Sequence, residues 1–273
     1  MSEPLRLLII GAHPDDADYS AGGLAALYRK HGHVVHMISM TNGDAGHHLA
    51  PGPELAARRR KEAEAAGKVI GAVYRTLDNH DGKLMPTLEA REHVIRLIRD
   101  LRPDLVLTHR PNDYHPDHRY SSQLVQDASY LLTVPAIVPE VKHLQTMPVI
   151  AYMPDDFQKP YPFSPSVAID VGPVVDAIVG MLHCHTSQFY EWLPFNQGNA
   201  HEVPQGDADR RAWLGEQFVL KRLRKRADQY RQLLIERYGP ERGGKVQYAE
   251  AFEGCEYGEP LEDVARKRLF GFV

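Results

Sequence analysis

The tripeptide His-Pro-Asp occurs twice in the chain, as His13-Pro14-Asp15-Asp16 and as His115-Pro116-Asp117-His118. Each copy sets imidazole and carboxylate groups side by side, the donors a divalent metal such as zinc takes when its chemistry is hydrolytic. Each also follows a short apolar run. Leu7-Leu8-Ile9-Ile10-Gly11-Ala12 precedes the first, and Leu105-Val106-Leu107-Thr108 precedes the second, with a loop ending in Asn112-Asp113-Tyr114 between. Proline suits the first position of a helix because its missing N–H would be unpaired there anyway. The spacing therefore predicts, twice over, a strand, a histidine cap and the first turn of a helix. One copy alone reads equally well as a plain helix start with Asp near the positive end of the helix dipole. Two copies, each beyond a strand and each with a fourth metal-binding residue, Asp16 or His118, point to a metal site.

The elements that must hold these motifs alternate along the chain. Leu5 to Ile10 reads as a buried strand, Gly22 to His31 as a helix and Val34 to Met40 as a second strand. A loop rich in Gly and His, Thr41 to Gly52, leads to a helix from Pro53 to Gly67, a strand from Val73 to Leu77, a helix from Leu88 to Leu101 and a strand from Asp104 to Thr108. A helix to Leu132, strands at Val149 to Met153 and Ser166 to Val171, and a helix at Asp176 to Cys184 follow. This alternation predicts an α/β fold, a mostly parallel sheet with helices on both faces. Ligands bind in such sheets beyond the carboxyl ends of strands where the strand order reverses. Strands one and four are thus expected to be neighbours there. The loops Thr41 to Gly52 and Arg110 to Tyr114 would wall the pocket, and the loop after His185 would close one side. Ala208 to Tyr238 reads as one long helix whose apolar stripe fits core or a homo-oligomer contact. With no repeat or linker, one domain over residues 1–273 is expected, residues 190–273 being its least legible extension.

Composition narrows the function. The 273 residues, 43% hydrophobic and 25% charged, are ordinary for a globular protein with a sizeable core. A net charge of -4, with no basic stretch interleaved with aromatics, argues against a nucleic-acid partner. The basic runs Ala57 to Glu62 and Lys221 to Arg226 lie in helical patterns and read as solvated faces. No apolar stretch approaches the roughly 18 residues that span a bilayer. The N-terminus lacks a signal-peptide pattern, and the two cysteines, Cys184 and Cys255, supply no disulfide framework. A cytoplasmic protein with no membrane partner is the expectation. Histidine is the unusual component, with 15 residues, several of them (His47, His48, His80, His109, His115, His118) in predicted loops.

At its two motifs the chain resembles the PIG-L/LmbE-like family of zinc-dependent N-deacetylases, whose hallmarks are Ala-His-Pro-Asp-Asp, here Ala12 to Asp16, and His-Pro-Asp-His, here His115 to His118. The resemblance continues through Gly22-Gly23, Thr41 to Gly46, Arg59 with Glu62-Ala63, Asp81-Gly82, Arg102-Pro103-Asp104 and His185 to Gln188. It implies a Rossmann-like fold and a metal, Zn2+ or another divalent transition metal, held by His13, Asp16 and His118. Asp15 would be the general base, with zinc-bound water as nucleophile. Three protein ligands leave zinc a position for water and lower its pKa, and neighbouring carboxylates leave the backbone in different directions, so one can ligate while the other takes a proton. The residues alone leave the reverse assignment of Asp15 and Asp16 open. By the same resemblance His115 stabilises the amide oxyanion and protonates the leaving amine, paired with Asp117 or Asp113. Arg59, Asp44 and Asp113 are candidate substrate contacts, with a structural pair between Arg59 and Glu62 the alternative for Arg59 and a turn the alternative for Asp44. His185 and Gln188 are candidates to line the site.

The activity this implies is removal of an N-acetyl group from a soluble amino sugar or sugar conjugate. A dinucleotide-binding oxidoreductase, the reading the opening βαβ unit would otherwise suggest, lacks the Gly-x-Gly-x-x-Gly turn at Gly11 to Asp16. A non-catalytic carbohydrate- or metal-binding protein on the same fold is the remaining alternative; the presence of both motifs and of a base argues for catalysis.

Overall fold

The computed structural model describes residues 3–273. Seven strands, β1 (Arg6–Gly11), β2 (Val34–Thr41), β3 (Val73–Asn79), β4 (Leu105–Thr108), β5 (Val149–Tyr152), β6 (Val167–Asp170) and β7 (Ala249–Gly254), form one sheet in the order β3-β2-β1-β4-β5-β7-β6. The first five are mutually parallel. β7 runs antiparallel to both β5 and β6, and it is a strand the sequence pattern did not disclose. Successive side chains of a strand point to opposite faces, and β1 shows why both faces need cover: Leu7 and Ile9 enter one apolar cluster, Leu8 and Ile10 the other.

Helices supply that cover. α1 (Asp16–Lys30), α2 (Pro53–Ile70) and, later, α5 (Val175–Cys184) pack on the face of Leu7 and Ile9, while α3 (Leu88–Leu101) and α4 (Pro116–Ser129) pack on the other. The strand order reverses between β1 and β4, which pair in parallel from Leu7–Leu105 to Ile10–Thr108. Both His-Pro-Asp motifs leave the carboxyl ends of these two strands, as expected.

The caps of the two motifs differ. In the second, His115 is the cap: its Nδ1 accepts the Asp117 N–H at 3.2 Å and Pro116 opens α4. In the first, the cap is Asp15 and α1 opens at Asp16, so Pro14 belongs to the preceding turn, which the Asp15 N–H closes on the His13 carbonyl at 2.9 Å. That turn brings the Asp16 carboxylate back onto the N–H groups of Ala12 and His13, at 2.8 and 2.7 Å.

The expected helix over 208–238 is also subdivided. After the short α6 (Leu193–Gln197) come α7 (Asp207–Leu214), a π-helical turn at Gly215–Leu220, α8 (Lys221–Gln229), a break at Tyr230 and α9 (Arg231–Tyr238). A π turn inserts one residue, which rotates the face that follows by about 100°.

α1 itself is kinked at Ala21 (φ -141°, ψ 19°), and the helix beyond the kink begins where the sequence predicted, at Gly22. A restarted helix has N–H groups without intrahelical acceptors. Fully buried Glu250 of β7 supplies them, accepting from Gly23 at 2.7 Å and Leu24 at 2.8 Å. A side chain at Gly23 would collide with Val171 and Glu250, which is why the helix approaches so closely. Burial pushes the Glu250 carboxyl up to about 7, against the two N–H groups and the charges of Arg222 and Arg226. An acid with a raised folded-state pKa contributes stability that is complete below the ordinary carboxyl range and is lost as pH rises through about 7. Glu250→Gln should therefore remove, from the pH dependence of stability, a decline on the order of 3 kcal/mol between pH 4.5 and 7. Denaturant titrations of both proteins at pH 5 and pH 8 measure it; parallel profiles would contradict the assignment.

Candidate metal centre and its cleft

Three side chains from the two motifs meet. His13 Nδ1 lies 3.2 Å from His118 Nε2 and 3.5 Å from Asp16 Oδ2, and His118 Nε2 lies 3.5 Å from Asp16 Oδ1. The outer nitrogens face carboxylates: His13 Nε2 is 3.2 Å from Asp81 and 3.4 Å from Asp117, and His118 Nδ1 is 3.1 Å from Asp113, though none of these contacts is aligned as a hydrogen bond. Carboxylates behind a histidine favour the ring proton on that outer nitrogen. In the neutral rings the two inner nitrogens then confront one another with lone pairs, beside an anionic carboxylate, and a cation is what such a donor set fits.

The electrostatics agree. Burial works against charge on His13, but contacts with Asp117, Asp16 and Asp81 hold its pKa well above the usual imidazole value. His118 is raised as well, against burial, by Asp16 and Asp113. Burial would raise Asp16, yet His118 and His109 hold its carboxyl well below the usual range, so it is an anion. Its neighbour Asp15 behaves oppositely: burial raises its pKa although Arg59 opposes. Adjacent carboxylates are thus set apart, one a committed anion and one with proton affinity.

Two overlapping groups also have metal-ligand spacing, His13 with Asp81, His115 and Asp117, and His109 with Asp113 and His118. Of their carboxylates, Asp117 and Asp113 also accept backbone N–H groups, as Asp16 does from Ala12 and His13. Asp117 accepts the N–H groups of Gly82 and Leu84, and Asp113 accepts that of His115 while facing His118. Asp15, Asp16 and His118 line the main cleft, as do His109 and Asp113, whereas His13, Asp81, His115 and Asp117 do not.

Other expected site residues take different places. Arg59 is 2% exposed, pairs with Asp15 at 3.2 Å and donates to the Gly43 carbonyl, so it orients the acid. Glu62, its expected partner, instead binds Arg58, Thr186 and Ser187. Asp44 holds His80 and the Asp81 N–H, again a structural duty. Asp113 backs His118, and Asp117, completely buried, backs His13; neither hydrogen-bonds the His115 ring as an acceptor. His115 packs edge-on to His13, centroids 4.5 Å apart, and burial and the two neighbouring imidazoles lower its pKa. His185 lies beneath the site in a buried pair with Asp18 at 2.7 Å, and Gln188 tethers the Gly46 carbonyl. Two residues the motifs did not single out belong to the centre: Asp81, and His109, which stacks on His118 at 3.9 Å with Nε2 3.2 Å from Asp16. The position of His109 directly after β4 was the available signal.

The cleft beside Asp16 and His118 has a volume of about 660 Å³. Asp113 and Tyr114 of the loop after β4 line it as expected, but the Thr41 to Gly52 loop does not. Further walls come from Pro154 to Phe157 after β5, Tyr19 of α1, Phe189 and Leu193, Gln217 and Phe218 of the π turn, and Lys221, Arg222, Lys225 and Arg226 of α8. The basic run expected to be a solvated face thus turns partly inward, because the π turn rotates α8 toward the cleft.

Among known proteins, residues 8–129 match the family described as GlcNAc-PI de-N-acetylase, PIG-L. The chain is 28% identical over 205 residues to diacetylchitobiose deacetylase of Thermococcus kodakarensis, covering 70% of this chain and 74% of the relative. It is 26% identical over 193 residues to 4-oxalmesaconate hydratase of Pseudomonas putida, covering 68% and 74%. The solved structure of N,N'-diacetylchitobiose deacetylase from Pyrococcus horikoshii shares the fold, with a TM-score of 0.69, 23% identity and coverage of 92% of this chain and 84% of that one. No helix among the described residues is long and apolar enough to cross a membrane. Residues 8–129 therefore match the PIG-L family, and relatives named as deacetylases resemble the chain in sequence and in fold.

Proposed function

We propose that the protein is a zinc-dependent hydrolase that removes the N-acetyl group from an amino sugar or sugar conjugate, acting in the cytoplasm, with residues 190–273 part of the same catalytic domain. The observation that carries this reading is Asp15: a half-buried carboxyl of raised pKa on the cleft wall, oriented by Arg59 and beside the cluster of His13, Asp16 and His118. Bound there, a divalent metal would supply Lewis-acid polarisation and activation of water. Asp15 takes the proton of the attacking water, as a group of raised pKa near an open cleft is suited to do. Asp81, Asp117 and Asp113 fix the orientation of His13 and His118 from behind. His115 has Nδ1 engaged by the Asp117 N–H, so its ring proton resides on Nε2, from which it would donate a hydrogen bond to the amide oxygen, while the proton that Asp15 takes from the water passes on to the leaving nitrogen.

A second reading, metal-dependent addition of water to an unsaturated acid, has one observation in its favour, the likeness to 4-oxalmesaconate hydratase. It would use the same base and metal ligands. Acetate release from N-acetylated sugars, set against loss of alkene absorbance with unsaturated polycarboxylates, separates the two.

Carefully purified protein should hold one divalent ion per chain, and His118→Ala should hold less than a tenth of it; metal analysis of both decides this, and equal contents would remove His118 from the ligand set. Asp15→Asn should keep the metal while turnover falls on the order of a hundredfold or more, the usual scale for losing a positioned base. Unchanged turnover on a substrate the wild type consumes would refute the role of Asp15, and loss of metal would exchange it with Asp16.

A further inference from the structure

The cleft contains cationic groups that the reaction at the metal centre does not use. Arg222 and Arg226 stand four residues apart on α8, on one helix face, and both line the cleft. Arg222 donates its Nε–H to the Phe218 carbonyl, and its guanidinium lies 4.1 Å from the centre of the Tyr19 ring, one turn along α1 from Asp16. Its Nη1 and Nη2 are buried without a partner among the described residues. Arg226 is 8% exposed, and its Nε is likewise buried and unpartnered. Burial and the charge of Arg222 push the Arg226 guanidinium down to about 10.

Two like charges close together in a buried wall, with guanidinium N–H groups unused, are costly unless an anion completes them. The acidic side chains around them are committed elsewhere: Asp156 pairs with Lys225 at 3.1 Å, Asp155 pairs with Arg110 at 2.7 Å, and Glu250 takes the N–H groups of Gly23 and Leu24. Guanidinium forks match the geometry of carboxylate and phosphate oxygens. We propose that Arg222 and Arg226 form an anion subsite in the α8 wall of the cleft, so that the substrate carries a carboxylate or phosphate group besides the bond that is cleaved. The subsite requires only that this cleft is the reaction site; the choice of sugar rests on the N-deacetylase reading.

The test uses the full-length, metal-loaded protein. Calorimetric titration with inorganic phosphate and with succinate reads binding directly. Acetate release from N-acetylglucosamine, its 6-phosphate and an N-acetylated aminouronic acid reads the ratio of charged to neutral kcat/KM. The wild type should favour a charged sugar by about tenfold or more, as expected for one or two charge-assisted contacts, and the preferred arm tells phosphate from carboxylate. That ratio, and anion affinity, should shrink with ionic strength, fall toward one in Arg222→Gln and Arg226→Gln, and recover in part in the Lys variants. A wild-type protein that binds neither anion, or folded Gln variants that keep the affinity and the ratio, would overturn the subsite. Should the Gln variants not fold, the salt dependence of the wild type and the Lys variants carry the decision. Arg-dependent anion binding without acetate release would remove the deacetylase reading alone, and acetate release without such binding would remove the subsite alone.

Discussion

The parallel pairing of β1 with β4 is the constraint on which the site depends. The register from Leu7–Leu105 to Ile10–Thr108 puts both strand ends level at one edge of the sheet, so the turns that follow them open onto the same space. Because side chains alternate between faces, a slip of one residue would send Leu8 and Ile10 of β1 into the opposite apolar layer and displace His13 from His118. The register is held by burial on both faces, with the β1 core residues almost inaccessible to solvent. Core packing and metal geometry are therefore one constraint: the apolar clusters on either side of β1 fix the distance across which His13, Asp16 and His118 can share an ion.

Charge is then distributed around that edge with little redundancy. Asp113, Asp117 and Asp81 stand behind the histidines, Asp16 among them, and Asp15 to one side under the control of Arg59. A buried carboxylate is tolerated when N–H groups and cations satisfy it, and the loops after β2, β3 and β4 each contribute to this. The N–H groups of Gly82 and Leu84 hold Asp117, that of His115 holds Asp113, and the Gly43 carbonyl steadies Arg59. Gly43, with φ at 69°, also leaves space that a side chain would take from the Arg59 guanidinium. The loop rich in Gly and His thus braces Arg59 behind Asp15 and leaves the wall of the cleft to other segments.

Those other segments come from the C-terminal third. β7 extends the sheet antiparallel to β5 and sends Glu250 to the kink of α1, while the π turn before α8 aims Arg222 and Arg226 into the cleft. The part of the chain outside the PIG-L match therefore supplies much of the cleft wall that faces Asp16 and His118. Relatives named for sugar deacetylation and for hydration each match more than two thirds of the chain, and a shared fold does not by itself fix a shared chemistry.

Legible in the sequence alone were the alternation of strands and helices through residue 184, the adjacency of β1 and β4, and the two motifs whose His13, Asp16 and His118 the fold brings together, because these rest on local properties: apolar periodicity, Pro at helix starts, and donor residues next to one another. The sequence did not determine the duties of Arg59, Asp44, Asp113 and Asp117. A charged side chain beside a motif has the same appearance whether it meets substrate or a buried neighbour, and only the packing of loops distant in sequence decided that these four serve His118, His13, Asp15 and the Asp81 loop. The basic run on α8 and the strand β7 escaped for the same reason. Helical periodicity assumes an unbroken 3.6-residue turn, and the π turn at Gly215–Leu220 resets it; β7 finds its partners at β5 and β6, roughly a hundred residues earlier, through hydrogen bonds that no local pattern encodes.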